Sequence, residues 1–341
     1  MGIKDIYDLF DHHGVGKIIP EKDVRMHGPL AVDGSVVIHR AIRGFANVKS
    51  LTDSNGEVTS HIKNILDLVI KLYKNKCITF WVFDGKAPDI KKKELKKREE
   101  IREKAQEELD EINAMIDELS EFTDDKNIFN ILEEKSAPLE KQAFAIDSSI
   151  IKPVKELLAY LGVPYIQAEE EADITLYDLC RLNVCKAVYS VDSDMIAYGC
   201  KKLIRPVTKK SAKTSKREWI LYDIDDIYMK MGITREELII IAIALGCDYV
   251  DKVKGVGIET IKKHIDNKTV QSLKSKFTSD QLTIFDRFMN PPTYDIKIEM
   301  QKINIDKVVE FLKAKQFSTA EAYRDKLTAI DFDYSRFIQM S

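Results

Sequence analysis

The chain has 341 residues, 44% of them hydrophobic and 32% charged, with a formal net charge of −3. That is enough for one large α/β domain or two moderate ones around a proper core, and too balanced in charge to read globally as a polyanion binder. Five cysteines without a CxxC pair or zinc spacing exclude a disulfide scaffold or zinc ribbon, and the longest apolar run, Leu238 to Leu245, is far too short to span a bilayer.

In chain order, the acids Asp5, Asp8 and Asp11 occupy the stretch where a secretory leader would be apolar, so an intracellular, soluble chain is expected. Four short β-like runs follow, each ending at or just before an acid. Leu30 to Val32 leads into Asp33, Cys77 to Phe83 into Asp84, Val163 to Ile166 precedes Glu169, and Ala187 to Val191 leads into Asp192. Continuous apolar runs of this kind suit strands covered on both faces. Helical patterns over Val58 to Lys74, Ile150 to Leu161 and Ala172 to Leu182 fill the gaps. The expected fold class is therefore α/β with a mostly parallel central sheet.

Two segments interrupt the alternation. Lys91 to Leu119 reads as a long, highly charged helix, followed by looser sequence to about Ser149, and is too polar for core; an inserted helical cap or arch is expected. From Arg235 the chain turns helical, with a loop at Asp248 to Gly257, a break at Pro291-Pro292 and a last helix over Ile305 to Lys313. The expected divisions are 1–85 and 150–234 for a core in two pieces, 86–149 for the cap, 235–290 for a helical region and 291–341 for a C-terminal extension.

Charge is sorted by segment. Residues 201–217 carry eight Lys/Arg and no acid, with 209–217 expected as a mobile loop; 86–107 carry nine bases against six acids; 107–125 carry nine acids and no base. Such runs are ordinarily solvated faces, but they also suit a surface that meets phosphates in one place and avoids them in another.

The acids at strand ends converge where ligands sit in open α/β sheets. Asp33, Asp84, Asp192 and Asp194 are hard oxygen donors suited to Mg²⁺ or Mn²⁺. Glu169 and Glu171 join them only if the first lies in the turn before a helix and the second in its first turn; inside a helix they would diverge. Glu170 is read as an acid that merely suits the helix N-terminus. Asp248, after Leu245-Gly246-Cys247, brings the set to seven carboxylates, a number that suits two ions clamping the oxygens of a displacement. Seven residues on, Lys254-Gly255-Val256-Gly257 offers backbone amides and a helix N-terminus to a phosphate, flanked by Lys252, Lys262 and Lys263.

With these motifs in view, the chain resembles the flap endonuclease and exonuclease 1 superfamily of 5′ nucleases nearly end to end. Met1-Gly2-Ile3-Lys4 with Leu30 to Asp33, Val82 to Pro88, Ala168 to Asp173, Asp192-Ser193-Asp194, Gly246 to Tyr249 and Gly255-Val256-Gly257 carry the resemblance. Gly199 to Lys202 looks like the exonuclease 1 branch, and Phe288 to Pro292 like the flap endonuclease branch.

The resemblance implies a PIN-like 5′ nuclease core, the helical arch, and a helix–two-turn–helix region gripping duplex DNA. It implies Asp33, Asp84, Glu169, Glu171, Asp192, Asp194 and Asp248 as ligands of two Mg²⁺ ions (Mn²⁺ substituting). Lys91 and Arg98, seven apart and expected on one helix face, would act on the scissile phosphate. Gly2, His39, Lys201, Lys202, Lys254, Gly255, Gly257 and Lys262 would contact DNA, with K⁺ at the glycine turn. The expected protein is a monomer acting on 5′ flaps, nicks or ends in replication, repair or recombination, nuclear in a eukaryotic cell or at a cytoplasmic replication site if viral.

A sliding clamp is a further expected partner without a clear clamp-binding tail. Gln281 to Ile284 resembles the start of one, but Arg287 occupies an aromatic position and the segment is internal. Two other classes use the same features: a PIN-type ribonuclease with the same acidic edge, and a non-catalytic DNA-binding scaffold, which would have lost carboxylates. The span from Asp84 to Glu169 is long for the superfamily and unusually acidic.

Overall fold

The fold is described from a computed structural model, which describes residues 2–43, 52–53, 58–123, 125–210, 215–298 and 302–330. Helix α1 (Ile6–His12) buries Ile6, Leu9 and Phe10, and a short strand β1 (Lys17–Ile19) follows. Strand β2 (Leu30–Asp33) is buried at every position and runs directly into α2 (Gly34–Arg43). Helix α3 (Ser60–Lys74) presents Ile62, Ile65, Leu66, Val69, Ile70 and Tyr73 to the core at helical spacing and delivers the fully buried β3 (Thr79–Phe83).

The chain then leaves the core. Helix α4 (Lys92–Ser120) is 29 residues long and buries only Ala105 and Leu109; α5 (Lys126–Ala143), capped by Asp125, returns alongside it. This second helix replaces the looser sequence expected up to Ser149. Its low apolar content and an internal Pro138 hide it, because the pair stabilises itself along one narrow seam rather than through a broad apolar face. Helix α6 (Ser148–Tyr160), β4 (Tyr165–Gln167), α7 (Ala172–Arg181), β5 (Ala187–Tyr189) and α8 (Asp194–Tyr198) restore the alternation.

Strands β6 (Lys202–Lys210) and β7 (Ser215–Asp223) come next, and the seven strands form one sheet in the order β1-β7-β6-β5-β2-β3-β4. From β6 through β4 every neighbour pair is parallel, while β7 pairs antiparallel with both β6 and β1. The basic stretch expected as a loop at 209–217 is therefore largely hairpin, paired out to Lys210↔Ser215; only its 211–214 portion lies outside the described residues. Its many bases hide the strand signal, and beyond the short pairings with β5 and β1 the far end of the hairpin has only its own partner strand.

Beyond the sheet, α9 (Ile224–Met231) and α10 (Arg235–Leu245) follow, the latter closed by a Thr234–Glu237 capping box and buried from Leu238 to Leu245. The loop 246–257 separates α10 from α11 (Ile258–Asp266), as expected, and α12 (Ser279–Met289) starts on a Thr278–Gln281 capping box. In α12, Gln281, Ile284 and Phe285 are buried, so this segment is not a free clamp-binding peptide. Helices α13 (Ile305–Ala314) and α14 (Ala320–Thr328) pack together, the second unforeseen because its burial is confined to Ala320, Tyr323 and Leu327. No helix among the described residues is long and apolar enough to cross a membrane.

Candidate active site

Because β2, β3, β4 and β5 are parallel, their carboxyl ends face one way, and the acids that follow them meet at one edge. Asp33 ends β2 and is 4% exposed. It accepts from the Val36 amide at 2.9 Å and from the Ser190 hydroxyl at 2.9 Å. The same hydroxyl accepts from the Asp192 amide at 3.0 Å, and Asp192 Oδ1 accepts from the Asp194 amide at 3.0 Å. A chain of short-range bonds thus locks the turn after β5 to the end of β2.

Asp84, exposed after β3, accepts from the Ala172 amide at 2.9 Å and so caps α7 from another strand. Glu169 stands exposed in the turn before α7, and Glu171 is the N-cap residue but makes no cap bond of its own. The condition for the two glutamates to converge is met in the backbone. Glu171 turns instead into the cluster, where its Oε1 pairs with Lys91 and its Oε2 accepts from the Tyr249 hydroxyl at 2.7 Å. Glu170 points elsewhere, to Arg287 at 2.8 Å.

Asp248 comes from the loop after α10. Its Oδ1 accepts from the Gly2 amide at 3.1 Å and its Oδ2 pairs with Arg98 at 2.6 Å. Gly2 has φ +79°, and a Cβ there would lie 2.3 Å from Asp192 Oδ1 and 2.5 Å from the Ser193 hydroxyl. Only glycine lets the N-terminal segment pass this close to the acids. Gly2 therefore belongs to the acidic edge itself.

Lys91 does not lie on α4. It ends a 3₁₀ turn (Asp89–Lys91), is buried, and sets its ammonium 4.5 Å from the Tyr249 ring centroid. It reaches Glu171, while Arg98, the seventh residue of α4, reaches Asp248; the two bases enter the cluster at different acids. Burial opposes the charge on Lys91, yet Asp173, Glu171 and Asp194 outweigh it and hold the ammonium well above the usual lysine range. Arg98 is likewise held above its ordinary value, with Asp248 overcoming its desolvation.

The acids behave in the opposite way. Burial and then Asp84 push Asp33 up; burial and then Asp248 raise Asp192; burial, Asp192 and Asp248 raise Asp194 far above a normal carboxyl. Both Asp194 carboxylate oxygens are buried without a hydrogen-bond partner. Converging buried carboxylates that repel one another, one of them with no partner at all, are the donor set divalent cations neutralise, and the residues fit such ions. Among the described residues no three His, Cys, Asp or Glu side chains are drawn together as a finished ligand group, and Lys91 and Arg98 occupy Glu171 and Asp248.

Sequence reasoning passed over Asp173. It stands in the first turn of α7, 6% exposed, and burial followed by Asp192 raises its carboxyl strongly. Its sequence signal, an acid in a helix first turn, is what any solvated helix offers. Tyr249 and Tyr198, whose hydroxyls meet at 2.7 Å behind Glu171, were also unmarked.

Of the remaining expected residues, His39 lies within electrostatic reach of Asp84 and Arg98. His39 is half-buried on α2, and burial, then Arg43, brings its imidazole down to about 4. Lys201 is exposed before β6, and Lys202 lies 3.9 Å from Asp223. In the 246–257 loop, Lys254 and Gly255 are exposed; Gly255 has φ +78°, whereas Gly257 is extended and caps α11. Nothing lies within 4 Å of a Cβ at either glycine, so the turn is open. Lys262 pairs with Glu259 at 2.7 Å one turn further on.

The geometry agrees with what the chain is similar to. Residues 1–105 match the XPG N-terminal domain and residues 162–248 the XPG I-region. Flap endonuclease 1 of Entamoeba histolytica is 30% identical over 341 residues, covering 94% of this chain and 85% of that protein. Flap endonuclease 1 of Picrophilus torridus is 29% identical over 326 residues, covering 92% of each. Among solved structures, the catalytic core of Rad2 in complex with DNA substrate superposes with a TM-score of 0.68 at 19% identity, covering 96% of this chain and 100% of that one. Flap endonuclease-1 from Methanococcus jannaschii gives 0.66 at 22% identity, covering 96% and 97%. At these identities the structural likeness speaks for the fold.

Proposed function

Because the chain belongs to the flap endonuclease and XPG superfamily, we propose that it is a structure-specific 5′ nuclease that hydrolyses DNA phosphodiesters at 5′ flaps, nicks or duplex ends, acting as flap endonuclease, 5′–3′ exonuclease or both. The observation that carries this reading is the acidic edge entered by two bases: Lys91 pairs with Glu171 and Arg98 with Asp248, and Asp33, Asp84, Glu169, Asp192 and Asp194 are proposed to complete the set. Those seven carboxylates would hold two Mg²⁺ ions, with Mn²⁺ substituting. When bound, the ions would supply the Lewis acidity for attacking and leaving oxygens of an in-line displacement.

The chain's own residues do the rest. Arg98 is 42% exposed in its side chain, so it can exchange Asp248 for a phosphate without a large desolvation cost. Lys91, buried and charged, stays beneath and stabilises negative charge arriving at the edge. The open turn at Gly255 and Gly257 offers amides and the α11 N-terminus to a duplex phosphate, with K⁺ as its cation, and Lys254 and Lys262 beside it. His39, Lys201 and Lys202 contact DNA nearer the core. A nucleotide must unstack to reach buried acids, which costs a few kcal/mol and is least at a junction or end.

The test is cleavage of 5′-labelled flapped, nicked, blunt and single-stranded circular DNA with Mg²⁺. Flapped and nicked substrates should be cut and circles spared, and Asp192→Ala should abolish cleavage while duplex binding survives. Equal cutting of circles and flaps, or normal turnover by the variant, defeats the reading.

A further inference from the structure

The far half of the cap carries apolar side chains that nothing in the fold covers. Along α4 the seam against α5 runs through the buried Ala105 and Leu109 and the half-buried Ile112, Ile116 and Leu119. Met115 falls one residue before Ile116, hence about 100° round the helix from that seam. On α5 the half-buried Phe129 and Leu132 continue the seam, and Ile128 and Ile131 each stand one residue before them. In two helices running in opposite directions, an offset of the same sense on both lands on the same side. Met115, Ile128 and Ile131 therefore share one face of the pair, with Phe122 at the turn that joins the helices. They are 46%, 38%, 54% and 78% exposed. Scattered singly such residues are ordinary, but gathered on one face they mark a contact surface.

The charge around them says what covers it. Glu108, Glu111 and Glu118 stand seven and four residues before Met115 and three after it, so they line the same face, and all three are exposed. Among the described residues no ion pair holds any acid of 107–125, whereas Lys92, Lys93, Arg98 and Arg102 at the other end of α4 all have acidic partners. A nucleic acid is repelled from such a face, and a second copy laid on it symmetrically would set glutamate against glutamate. A helix with an apolar stripe flanked by lysine or arginine meets both features at once.

We propose that this face of the cap is the docking surface for a basic amphipathic helix of another protein. From Arg98 to Met115 is about 26 Å along α4, so a partner seated there leaves the acidic edge open and is screened from it in physiological salt. The inference rests on the cap alone and stands whether or not the acidic edge cuts DNA.

The probe is a fluorescein-labelled Lys/Leu peptide of about 18 residues, with leucine at helical spacing, titrated against the full chain in about 0.15 M salt and read by anisotropy. Phe122→Ser with Ile131→Ser should weaken binding by about tenfold or more, as expected of apolar anchors. Glu111→Gln with Glu118→Gln should weaken it by about threefold and flatten its salt dependence. A peptide of the same composition with its leucines scattered round the helix should bind at least about tenfold more weakly. Cleavage of flapped DNA by both variants should stay within about twofold of the unaltered chain. Should the paired serine variant melt early, Phe122→Ser alone carries the test, because that side chain is largely in solvent. Binding that follows charge alone, unchanged by the serine substitutions, overturns the proposal, as does absence of binding by the unaltered chain. A loss of cleavage in step with peptide binding overturns it too, by placing the face in the path of DNA. A dimer in sedimentation that the serine substitutions make monomeric also overturns it, by assigning the face to a second copy.

Discussion

Without divalent ions, the acidic edge should make the protein less stable as pH rises above neutrality. In the fold, Asp33 is raised from 3.8 to about 8 by burial and by Asp84, so between those values the native state holds a proton that the unfolded chain has lost. Asp33 therefore contributes most at low pH, and that contribution drains away as pH climbs toward 8. Asp173, Asp192 and Asp194 are displaced in the same direction. His39 and His61 oppose them at lower pH: burial lowers both from 6.5 to about 4, so they favour the fold increasingly as pH rises to 6.5 and no further. The acids therefore dominate the window between pH 6.5 and 8, where the histidine contribution fades. At about 1.4 kcal/mol per pH unit, one such carboxylate removes on the order of 2 kcal/mol across it, or a few degrees of melting temperature in a chain of this size. Melting in EDTA at pH 6.5, 7.2 and 8 should show that fall. Asp33→Asn should flatten it, and saturating Mg²⁺ should abolish it by binding the native state alone. A melting temperature that is level or rises across this window in chelator, with the same slope in Asp33→Asn, would refute the argument.

Three further outcomes follow from the site. Arg98→Ala should lower the single-turnover cleavage rate by roughly 10²-fold or more with little change in DNA affinity, because its fork acts on the reacting phosphate; a parallel loss of affinity and of salt slope would make it a backbone contact. Gly2→Ala should abolish cleavage while leaving far-UV circular dichroism unchanged, since the added carbon meets Asp192 at 2.3 Å; turnover within about twofold of wild type contradicts the close packing. Gly255→Val should weaken duplex binding by about tenfold, as φ +78° costs a β-branched residue on the order of 1–2 kcal/mol, whereas Gly257→Ala, extended and uncrowded, should be nearly silent in gel shifts; equal effects at both positions would refute the assignment of the turn.

The strands that carry the acids were legible because burial on both faces leaves an unbroken apolar run, and Asp33 at the end of Leu30 to Val32 is such a case. The hairpin of β6 and β7 was not, because a run of lysine and arginine looks like a solvated loop until the partner strand is known. Helix α5 escaped for a related reason: a helix that packs on one neighbour needs only a narrow seam, and Pro138 obscures the period. In the site, six acids could be named from their places after strands and Asp248 from its place after a helical apolar run, but which would be paired could not. That Lys91 reaches Glu171 and Arg98 reaches Asp248 depends on a 3₁₀ turn of three residues that moves Lys91 off the helix. Asp173 was invisible because its exposure, rather than its identity, makes it unusual.

The paired helices α4 and α5 also bear on how far charge is felt. At 1.5 Å per residue the 29-residue α4 is about 43 Å long, against a Debye length of about 8 Å in physiological salt. Asp117 and Glu118, near the far end of α4, are thus about 28 Å or more along the rod from Arg98, several screening lengths, and the two ends are electrically separate bodies on one rod. A phosphate at the root does not sense the acidic tip, and a formal charge of −3 summed over the chain describes no place on its surface. Dilute buffer, at about 30 Å of screening length, would bring the ends into communication, so affinity for an anion at the root should peak at intermediate ionic strength rather than rise without limit as salt is withdrawn.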